Sequence, residues 1–351
     1  MIASAGQTAA GRLRLSYETL TLHTRHAFVI ARGGASEYRT VWVRIAADDG
    51  MEGWGEAAPN RFYGETVDSA IGALERLRET IEGADPWALE DIEVAMHRAI
   101  RFNGSVKSAV SAAFHDLAAK RLGVPLYKLW GLDPARAPLS SYTIAIADDA
   151  ALRERVAEAV EYPVLKVKLG SDRDLRILDV VRTAAPDKIL RVDANSAWTA
   201  KHTLRMLPVL EAHGVEFLEQ PLPPQDLDGL RFVRERSNLP IVADESCLMS
   251  SDVASLAGIV DGINLKLSKC GGLREAMRMI AVARAHGMLV MAGCMIESSL
   301  GITAAAHLAP LLDYADLDGA ALLADDPFRG ATIAGGRIAL PAGPGLGVER
   351  A

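Results

Sequence analysis

Five residues that could carry acid–base chemistry recur along the chain at nearly even intervals. Lys168, Asp193, Glu219, Asp244 and Lys266 are separated by 25, 26, 25 and 22 residues, and each lies at or just past the end of a short apolar run. This spacing is typical of one strand and one helix for each functional group. A parallel barrel brings the C-terminal ends of its strands to one face. We therefore expect three carboxylates and two flanking amines around one pocket.

The three carboxylates are predicted to bind a metal. A single acid at a strand end is more often a helix cap or a solvated loop residue. Three clustered acids, however, would raise one another's pKa unless a cation neutralised them. Because Asp193, Glu219 and Asp244 offer only oxygen, they favour Mg²⁺, with Mn²⁺ as the alternative. Asn195 and Glu245 lie close by in sequence and either support these ligands or serve the local structure alone.

The lysines are predicted to move protons. Lys166 and Lys168 stand two residues apart near the end of a predicted strand, so both side chains point into the barrel. A neighbouring ammonium lowers the pKa of each, which predicts Lys168 as the general base and Lys166 as the residue that tunes it. Lys266 ends a strand across the barrel. Lys269 could compete with Lys266 but is expected to be solvated in a loop.

The expected chemistry follows from two amines on opposite faces of one carbon acid. A metal bound to the substrate carboxylate stabilises the negative charge that develops when the α-proton leaves. A proton removed by one lysine can then be replaced by the other on the opposite face. Inversion at the α-carbon is the predicted outcome.

The pattern of strands and helices that must position these residues predicts the α/β fold class. From residue 139 onward, predicted strands alternate with amphipathic helices, and eight parallel strands with right-handed crossovers predict a TIM-type barrel. An open doubly wound sheet is the alternative, disfavoured because no Gly-x-Gly-x-x-Gly follows the first strand. The predicted barrel strands cover residues 139–146, 163–169, 188–193, 215–219, 240–244, 262–267, 288–291 and 313–317.

The region before the barrel carries mixed strand and helix signals. We predict strands at 13–30 and 38–46, joined across Gly33-Gly34, and a third at 51–56, followed by three helices. The expected domains are an α+β capping domain with specificity loops (1–130) and a catalytic barrel (131–321). A glycine-rich C-terminal segment (322–351) returns to complete the cap.

Composition narrows the class of partner. The 351 residues carry a net charge of −7 from interspersed acids and bases, so no basic stripe exists to follow nucleic acid. Apolar stretches are too short to span a membrane, and no leader pattern opens the chain. Three widely spaced cysteines indicate reduced thiols. These features predict a cytoplasmic enzyme with a small-molecule substrate and leave a homo-oligomer open.

The motifs together resemble the enolase superfamily, and its muconate-lactonizing subgroup in particular. The matching residues are Lys166-Val167-Lys168, Asp193, Glu219, Asp244, Lys266 and the turn Gly53-Trp54-Gly55-Glu56. The resemblance implies a (β/α)7β modified TIM barrel, which lacks the eighth helix, with an N-terminal α+β capping domain. It covers nearly the whole chain.

Within the subgroup, Asp316-Leu317-Asp318 resembles the pair with which dipeptide epimerases bind the free α-ammonium of a dipeptide. By spacing alone, two acids at a strand-end turn would read equally well as structural. The segment around Arg32 is similar to the loop of L-Ala-D/L-Glu epimerases of proteobacterial type, whose arginine binds the glutamate side chain. The resemblance therefore implies Asp316, Asp318, Arg32 and Thr143 as substrate-binding residues.

The resemblance implies an isomerase that inverts the α-carbon of the C-terminal residue of a dipeptide. The expected substrate is L-Ala-D/L-Glu from peptidoglycan recycling, and the expected route is 1,1-proton transfer through a Mg²⁺-stabilised enediolate. One alternative is an o-succinylbenzoate synthase/N-acylamino acid racemase or a muconate cycloisomerase on the same scaffold. Another is a non-catalytic binding barrel. The chain departs from some relatives at Ile296-Glu297-Ser298-Ser299 after the seventh strand and at Ala320, positions near the expected pocket for the second residue.

Overall fold

A computed structural model describes residues 12–351 of the protein. The main body is an eight-stranded parallel sheet that closes into a barrel. The strands follow one another in chain order, and a parallel bridge between Ser140 and Ala315 joins the last strand to the start of the first. The barrel strands are β4 (Tyr142–Ile144), β5 (Val164–Lys168), β6 (Ile189–Asp193), β7 (Val215–Glu219), β8 (Ile241–Ala243), β9 (Gly262–Leu265), β10 (Leu289–Gly293) and β11 (Tyr314–Asp316).

Helices cover the outside of the barrel. They are α5 (Asp149–Glu158), α6 (Asp174–Ala184), α7 (Ala200–Ala212), α8 (Leu227–Arg234), α9 (Ser250–Leu256), the short α10 (Leu267–Cys270) with α11 (Leu273–Ala285), and α12 (Ser299–Ala306). After β11 the described chain makes only a 3₁₀ turn (Ala320–Leu322) in place of an eighth helix. The predicted (β/α)7β barrel is confirmed. In the part of the chain described, no helix is long and apolar enough to cross a bilayer.

The barrel strands are buried on both faces, which explains why they read as short apolar runs. On β5, Leu165 and Val167 belong to the main apolar core under the helices. The intervening Lys166 and Lys168 point to the barrel interior. Alternation along the strand therefore separates packing residues from chemical ones.

The N-terminal region has its own sheet and its own apolar core. An antiparallel sheet of β1 (Arg14–Ile30), β2 (Gly33–Ala46) and β3 (Glu52–Ala57) packs on α1 (Val67–Glu82), α2 (Leu89–Ala99) and α3 (Gly104–Arg121). A Cβ atom at Gly53 or Gly55 would lie 1.9 or 2.0 Å from a carbonyl oxygen of α3. Only glycine allows this contact, which accounts for the Gly-Trp-Gly-Glu turn.

The hairpin between β1 and β2 differs from its prediction. We expected a loop up to residue 37, but β2 already begins at Gly33, and Ile30 pairs with Gly33 across a turn at Ala31 and Arg32. The two-residue turn is possible because Gly33 has a φ of +106°, which favours glycine. The ladder of the hairpin, irregular only between His23 and Phe28, therefore extends to the barrel, where Ile146 donates its N–H to the Val29 carbonyl.

The C-terminal segment crosses back over the N-terminal sheet. Leu323 bridges to Thr24 of β1, and the Phe328 ring lies 5.3 Å from the Trp42 ring. It carries β12 (Phe328–Arg329), which pairs with β15 (Glu349–Arg350), and the hairpin of β13 (Thr332–Ala334) and β14 (Arg337–Ala339). A further short helix, α4 (Leu126–Leu129), joins the two cores and donates to the Gly345 carbonyl. Division of the chain at residues 130 and 321 stays a prediction.

Candidate active site

The three acids predicted as metal ligands lie side by side at the C-terminal ends of β6, β7 and β8. Asp193 and Glu219 are the last residues of their strands and are paired in register, and Asp244 follows β8 directly. All three are buried, and one carboxylate oxygen from each lies within 4.8 Å of the others. We call Asp193, Glu219 and Asp244 the metal triad.

Two lysines contact the metal triad from different strands. Lys168 Nζ donates to Asp193 Oδ2 at 2.6 Å, and Lys266 Nζ donates to Asp244 Oδ2 at 2.8 Å. Lys168 ends β5 and Lys266 follows β9, so four strand positions separate them around the barrel. The structure thus places an amine beside each outer member of the triad.

Lys166 is more tightly held than predicted. Its Nζ lies 2.7 Å from Glu219 Oε2, 2.7 Å from Asp316 Oδ2 and 3.4 Å from Asp193 Oδ2. Burial lowers the pKa of Lys166, but the charges of these three carboxylates outweigh burial and raise the pKa well above its ordinary value. The expected lowering by Lys168 is therefore wrong for Lys166, because carboxylates are closer and more numerous than the neighbouring ammonium.

Lys269 also belongs to the site, and the prediction of a solvated side chain is wrong. It is buried, and its Nζ donates to Asp244 Oδ1 at 2.5 Å, to the Asp244 carbonyl and to the Asn264 carbonyl. The chain after β9 winds into α10, which turns Lys269 back toward Asp244. In the sequence, Gly271-Gly272 could have indicated that a short helix ends here and carries Lys269. In the structure Gly271 ends that helix with a left-handed φ of +85°.

The charges around the metal triad set the pKa values of its members. Burial raises the pKa of Asp193, but Lys168 and Lys166 outweigh it and lower the pKa to about 2. For Glu219, burial and the charge of Asp193 raise the pKa to about 7. Lys266 and Lys269 overcome burial to lower the pKa of Asp244. Glu219, the central acid, is therefore the triad member whose charged form is least favoured by its surroundings.

The donor set around the triad fits a hard divalent cation. Asn195 Nδ2 donates to Asp193 Oδ2 at 3.1 Å, and Asn264 Nδ2 donates to Glu219 Oε1 at 2.8 Å. The Oδ1 atom of each amide is buried, and none of the donors in residues 12–351 reaches it. Crowded carboxylates beside unpartnered oxygen acceptors are the surroundings expected for Mg²⁺ or Mn²⁺.

Asp316 and Asp318, predicted to bind an ammonium, are both buried next to Lys166. Asp316 Oδ1 accepts a hydrogen bond from Ser141 Oγ at 2.6 Å, and Asp318 Oδ2 accepts from the Thr143 N–H at 2.6 Å. Burial and the charge of Asp316 raise the pKa of Asp318 to about 7. Lys166 pairs with Asp316, whereas no lysine or arginine among the described residues pairs with Asp318, so the two acids have capacity for a further cation. The structure brings Thr143, Asp316 and Asp318 together.

Arg32 reaches the same face of the barrel from the tip of the β1–β2 hairpin. Its Nη1 donates to the Asn195 carbonyl and to Glu245 Oε1, each at 2.7 Å. Glu245 is the residue after the triad member Asp244, and its side chain is fully buried. The sequence reading therefore placed Arg32 correctly at the site but missed its partner, which is distant in the chain.

Two aromatic residues at the site were not predicted. Phe62 and Tyr63 lie on a 3₁₀ turn (Arg61–Tyr63) after β3, and the Arg32 guanidinium lies 4.1 Å from the centre of the Phe62 ring. Burial, followed by the charges of Asp244 and Glu245, raises the pKa of Tyr63. The turn residues Asn60 and Gly64 were the available signal, but they indicate a turn without indicating what it faces.

Two surface cavities lie at the other end of the barrel. Their volumes are about 610 and 530 Å³, and residues near the N-terminal ends of the strands line them, including Pro240 and Leu289 in one and Ile189 in the other. The buried carboxylates and lysines are all at the opposite end. These two cavities therefore lie away from the charged residues, which are at the end of the barrel where such folds carry their active sites.

Comparison with known proteins agrees with this geometry. Residues 16–131 match the family described as Mandelate racemase / muconate lactonizing enzyme, N-terminal domain, and residues 148–350 match Enolase C-terminal domain-like. The chain is 38% identical to an L-Ala-D/L-Glu epimerase of Bacteroides thetaiotaomicron, over 97% of this chain and 88% of the relative. It is 40% identical to a hydrophobic dipeptide epimerase of Roseobacter litoralis, over 95% and 98%.

A solved structure matches the whole fold. The dipeptide epimerase of Enterococcus faecalis V583, in complex with Mg and the dipeptide L-Leu-L-Tyr, superimposes with a TM-score of 0.92 at 32% identity. The match covers 97% of this chain and 100% of that one. Homologous structures thus contain Mg, and the buried triad described above could bind the same metal.

Proposed function

We infer the reaction from one premise: the chain belongs to the mandelate racemase and muconate lactonizing enzyme family of the enolase superfamily. Its relatives are epimerases, and the chain is an isomerase. We propose that it is a metal-dependent dipeptide epimerase that inverts the α-carbon of the C-terminal residue. The proposed substrate is L-Ala-D/L-Glu, the product of peptidoglycan turnover, which is also the substrate that names one relative.

One observation carries the proposal. Lys168 and Lys266 donate to different outer members of the triad, so their amines flank the place where a metal-held carboxylate would lie. One amine on each side is what a 1,1-proton transfer requires, because the proton leaves one face and returns to the other. A binding protein would have no need for two buried lysines at these positions.

In the proposed mechanism each residue has a separate task. A Mg²⁺ ion on Asp193, Glu219 and Asp244 would supply positive charge against the charge that develops on the substrate carboxylate. In one direction Lys168 Nζ accepts the α-proton while Lys266 Nζ donates one to the opposite face, and the reverse reaction exchanges these roles. Lys166 stays protonated and adds positive charge close to Glu219.

The dipeptide's α-ammonium is assigned to the acids on the eighth strand. Asp316 and Asp318 are buried together, and only Lys166 among the lysines bonds to either of them in the described chain. They hold the substrate by the charged group of its first residue, one peptide bond away from the residue that carries the reacting carbon. This observation favours a dipeptide over muconate or o-succinylbenzoate precursors, which present no ammonium.

Deuterium exchange tests the proposal. L-Ala-D-Glu incubated with the protein and Mg²⁺ in D₂O should exchange the α-proton of its glutamate and yield the L,L dipeptide. Lys168→Ala and Lys266→Ala should each lower epimerisation by roughly 10²- to 10⁴-fold, the usual contribution of a general acid or base. If no dipeptide exchanges its α-proton while Mg²⁺ is bound, the proposal is wrong.

A further inference from the structure

We propose that Phe62 and Glu245 are positioning residues that orient Arg32 to receive an acidic substrate side chain. The inference rests on the proposed function and adds to it the residues that hold Arg32 in place for an acidic side chain. Neither Phe62 nor Glu245 contacts the reacting carbon in this account. They act through Arg32.

The first observation is how the guanidinium is anchored. Arg32 Nη1 donates to the Asn195 carbonyl and to Glu245 Oε1, both at 2.7 Å. Nη1 carries two hydrogens, and these contacts use both. Since Asn195 stands two residues after Asp193 and Glu245 one residue after Asp244, the anchor is attached to the same strand ends as the metal triad.

The second observation is the edge that the anchor leaves open. Among the residues that the structure describes, no acceptor bonds to Nε or Nη2 of Arg32, and its side chain is 31% exposed. The N–H groups of Nε and Nη2 point in parallel and match the two oxygens of one carboxylate. Arg32 thus presents a carboxylate-binding edge to solvent at the mouth of the barrel.

Phe62 fixes the plane of that edge. The guanidinium carbon lies 4.1 Å from the centre of the Phe62 ring, so the ring covers one face of the cation. Asn60 caps the 3₁₀ turn by accepting the Phe62 N–H at 2.9 Å, which fixes the backbone from which the ring projects. A flat cation held at one edge and one face loses little further freedom when a carboxylate binds the remaining edge.

The expected substrates are dipeptides whose C-terminal residue ends in a carboxylate. A metal ion on the triad would hold the α-carboxylate of that residue, and Arg32 would hold its side-chain carboxylate. A neutral side chain of the same length would reach Arg32 without using both N–H groups. We therefore expect glutamate to be favoured over glutamine at the second position.

The chain offers a matched control for Phe62. Phe232 on α8 lies under Arg236 with the cation 3.9 Å from the ring centre, and Phe232 is 42% exposed against 41% for Phe62. The two Arg–Phe pairs have similar ring distances and phenylalanine exposures, but Arg236 bonds only to the Phe232 carbonyl and to the exposed Glu235 in the described chain. Phe232→Leu therefore measures the loss of such a pair away from the barrel mouth.

The experiment compares KM and kcat for L-Ala-L-Glu and L-Ala-L-Gln in the wild type, Phe62→Leu, Phe62→Trp and Phe232→Leu, all with Mg²⁺. Phe62→Leu should raise KM for the glutamate dipeptide about two- to fivefold, the range of an exposed cation–π contact, with little change in kcat. Its effect on the glutamine dipeptide should be smaller. Phe62→Trp should restore KM because it retains a ring face, and Phe232→Leu should match the wild type.

Arg32→Met extends the same test. It should lower kcat/KM for L-Ala-L-Glu by roughly 10- to 100-fold, the loss expected for hydrogen bonds to a charged group, and lower it less for L-Ala-L-Gln. Equal losses on both dipeptides in Phe62→Leu and Arg32→Met would overturn the inference, as would a wild type that accepts only the glutamine dipeptide. A wild type that epimerises no dipeptide would instead overturn the proposed function. Thermal melting of each variant separates these outcomes from loss of folding.

Discussion

The metal triad and the single carboxylate of Glu56 are two buried acidic groups where the barrel meets the cap, and different donors neutralise them. The metal triad is crowded by its own charges and by lysine amines. Glu56 of β3, by contrast, accepts the N–H groups of Ser298 and Gly301 at the start of α12, and the Ser298 hydroxyl also donates to it. Both are buried.

The comparison shows that burial alone does not mark a functional acid. Glu56 satisfies the free N–H groups at a helix start, where a negative charge is stabilised by backbone dipoles. It fastens β3 of the cap to the barrel. The triad is neutralised mainly by lysine amines and holds three acids within 4.8 Å of one another, an arrangement that a divalent cation would stabilise further. Mutual crowding, with charged partners, distinguishes the site.

The largest expected difference between the two groups is their response to metal. Mg²⁺ at 100 times its Kd should stabilise the wild type by about 2.7 kcal/mol, and Glu219→Gln should abolish this gain together with epimerisation. In EDTA, Glu219→Gln should melt at or above the wild-type temperature, because it removes one of three crowded charges. Calorimetry with and without Mg²⁺ measures both effects. A Glu219→Gln protein that is still stabilised by Mg²⁺ would separate the triad from the metal.

The acids of the eighth strand should give an intermediate effect. Asp316→Asn or Asp318→Asn should lower kcat/KM for L-Ala-L-Glu by roughly 10- to 100-fold, the loss expected for a buried charged hydrogen bond to the ammonium. Activity on N-acetyl-L-glutamate or an o-succinylbenzoate precursor, if the scaffold supports it, should not fall in the same way. If these variants lose activity on the substrates without an ammonium and retain it on the dipeptide, the assignment of Asp316 and Asp318 to the ammonium is wrong.

The smallest effect on chemistry is expected at Glu56. Burial raises the pKa of this carboxyl, although its hydrogen-bond donors oppose that shift. Because both oxygens of Glu56 accept N–H bonds, Glu56→Gln would turn an amide N–H against a backbone donor and cost about 1–3 kcal/mol of stability. The kcat of the folded protein should stay unchanged. Urea unfolding beside initial rates checks this, and a large fall in kcat at full folding would contradict the structural role.

The sequence by itself was enough to predict the barrel, the triad and the two flanking lysines. Each of these residues lies at a strand end, and in a parallel barrel all strand ends meet. Period-two alternation on β5 likewise predicted that Lys166 and Lys168 share one side, and the structure confirms it. The roles assigned to these side chains stay predictions.

Only the tertiary structure determined the contacts made by side chains that do not lie at the ends of the regularly spaced barrel strands. Lys269 was misplaced because a short helix, rather than a strand, orients it toward Asp244. Arg32 and Glu245 are 213 residues apart and meet because the hairpin of the cap docks on the barrel. Spacing along a chain predicts contacts between elements that repeat regularly, whereas contacts between two separately folded units depend on how their surfaces pack.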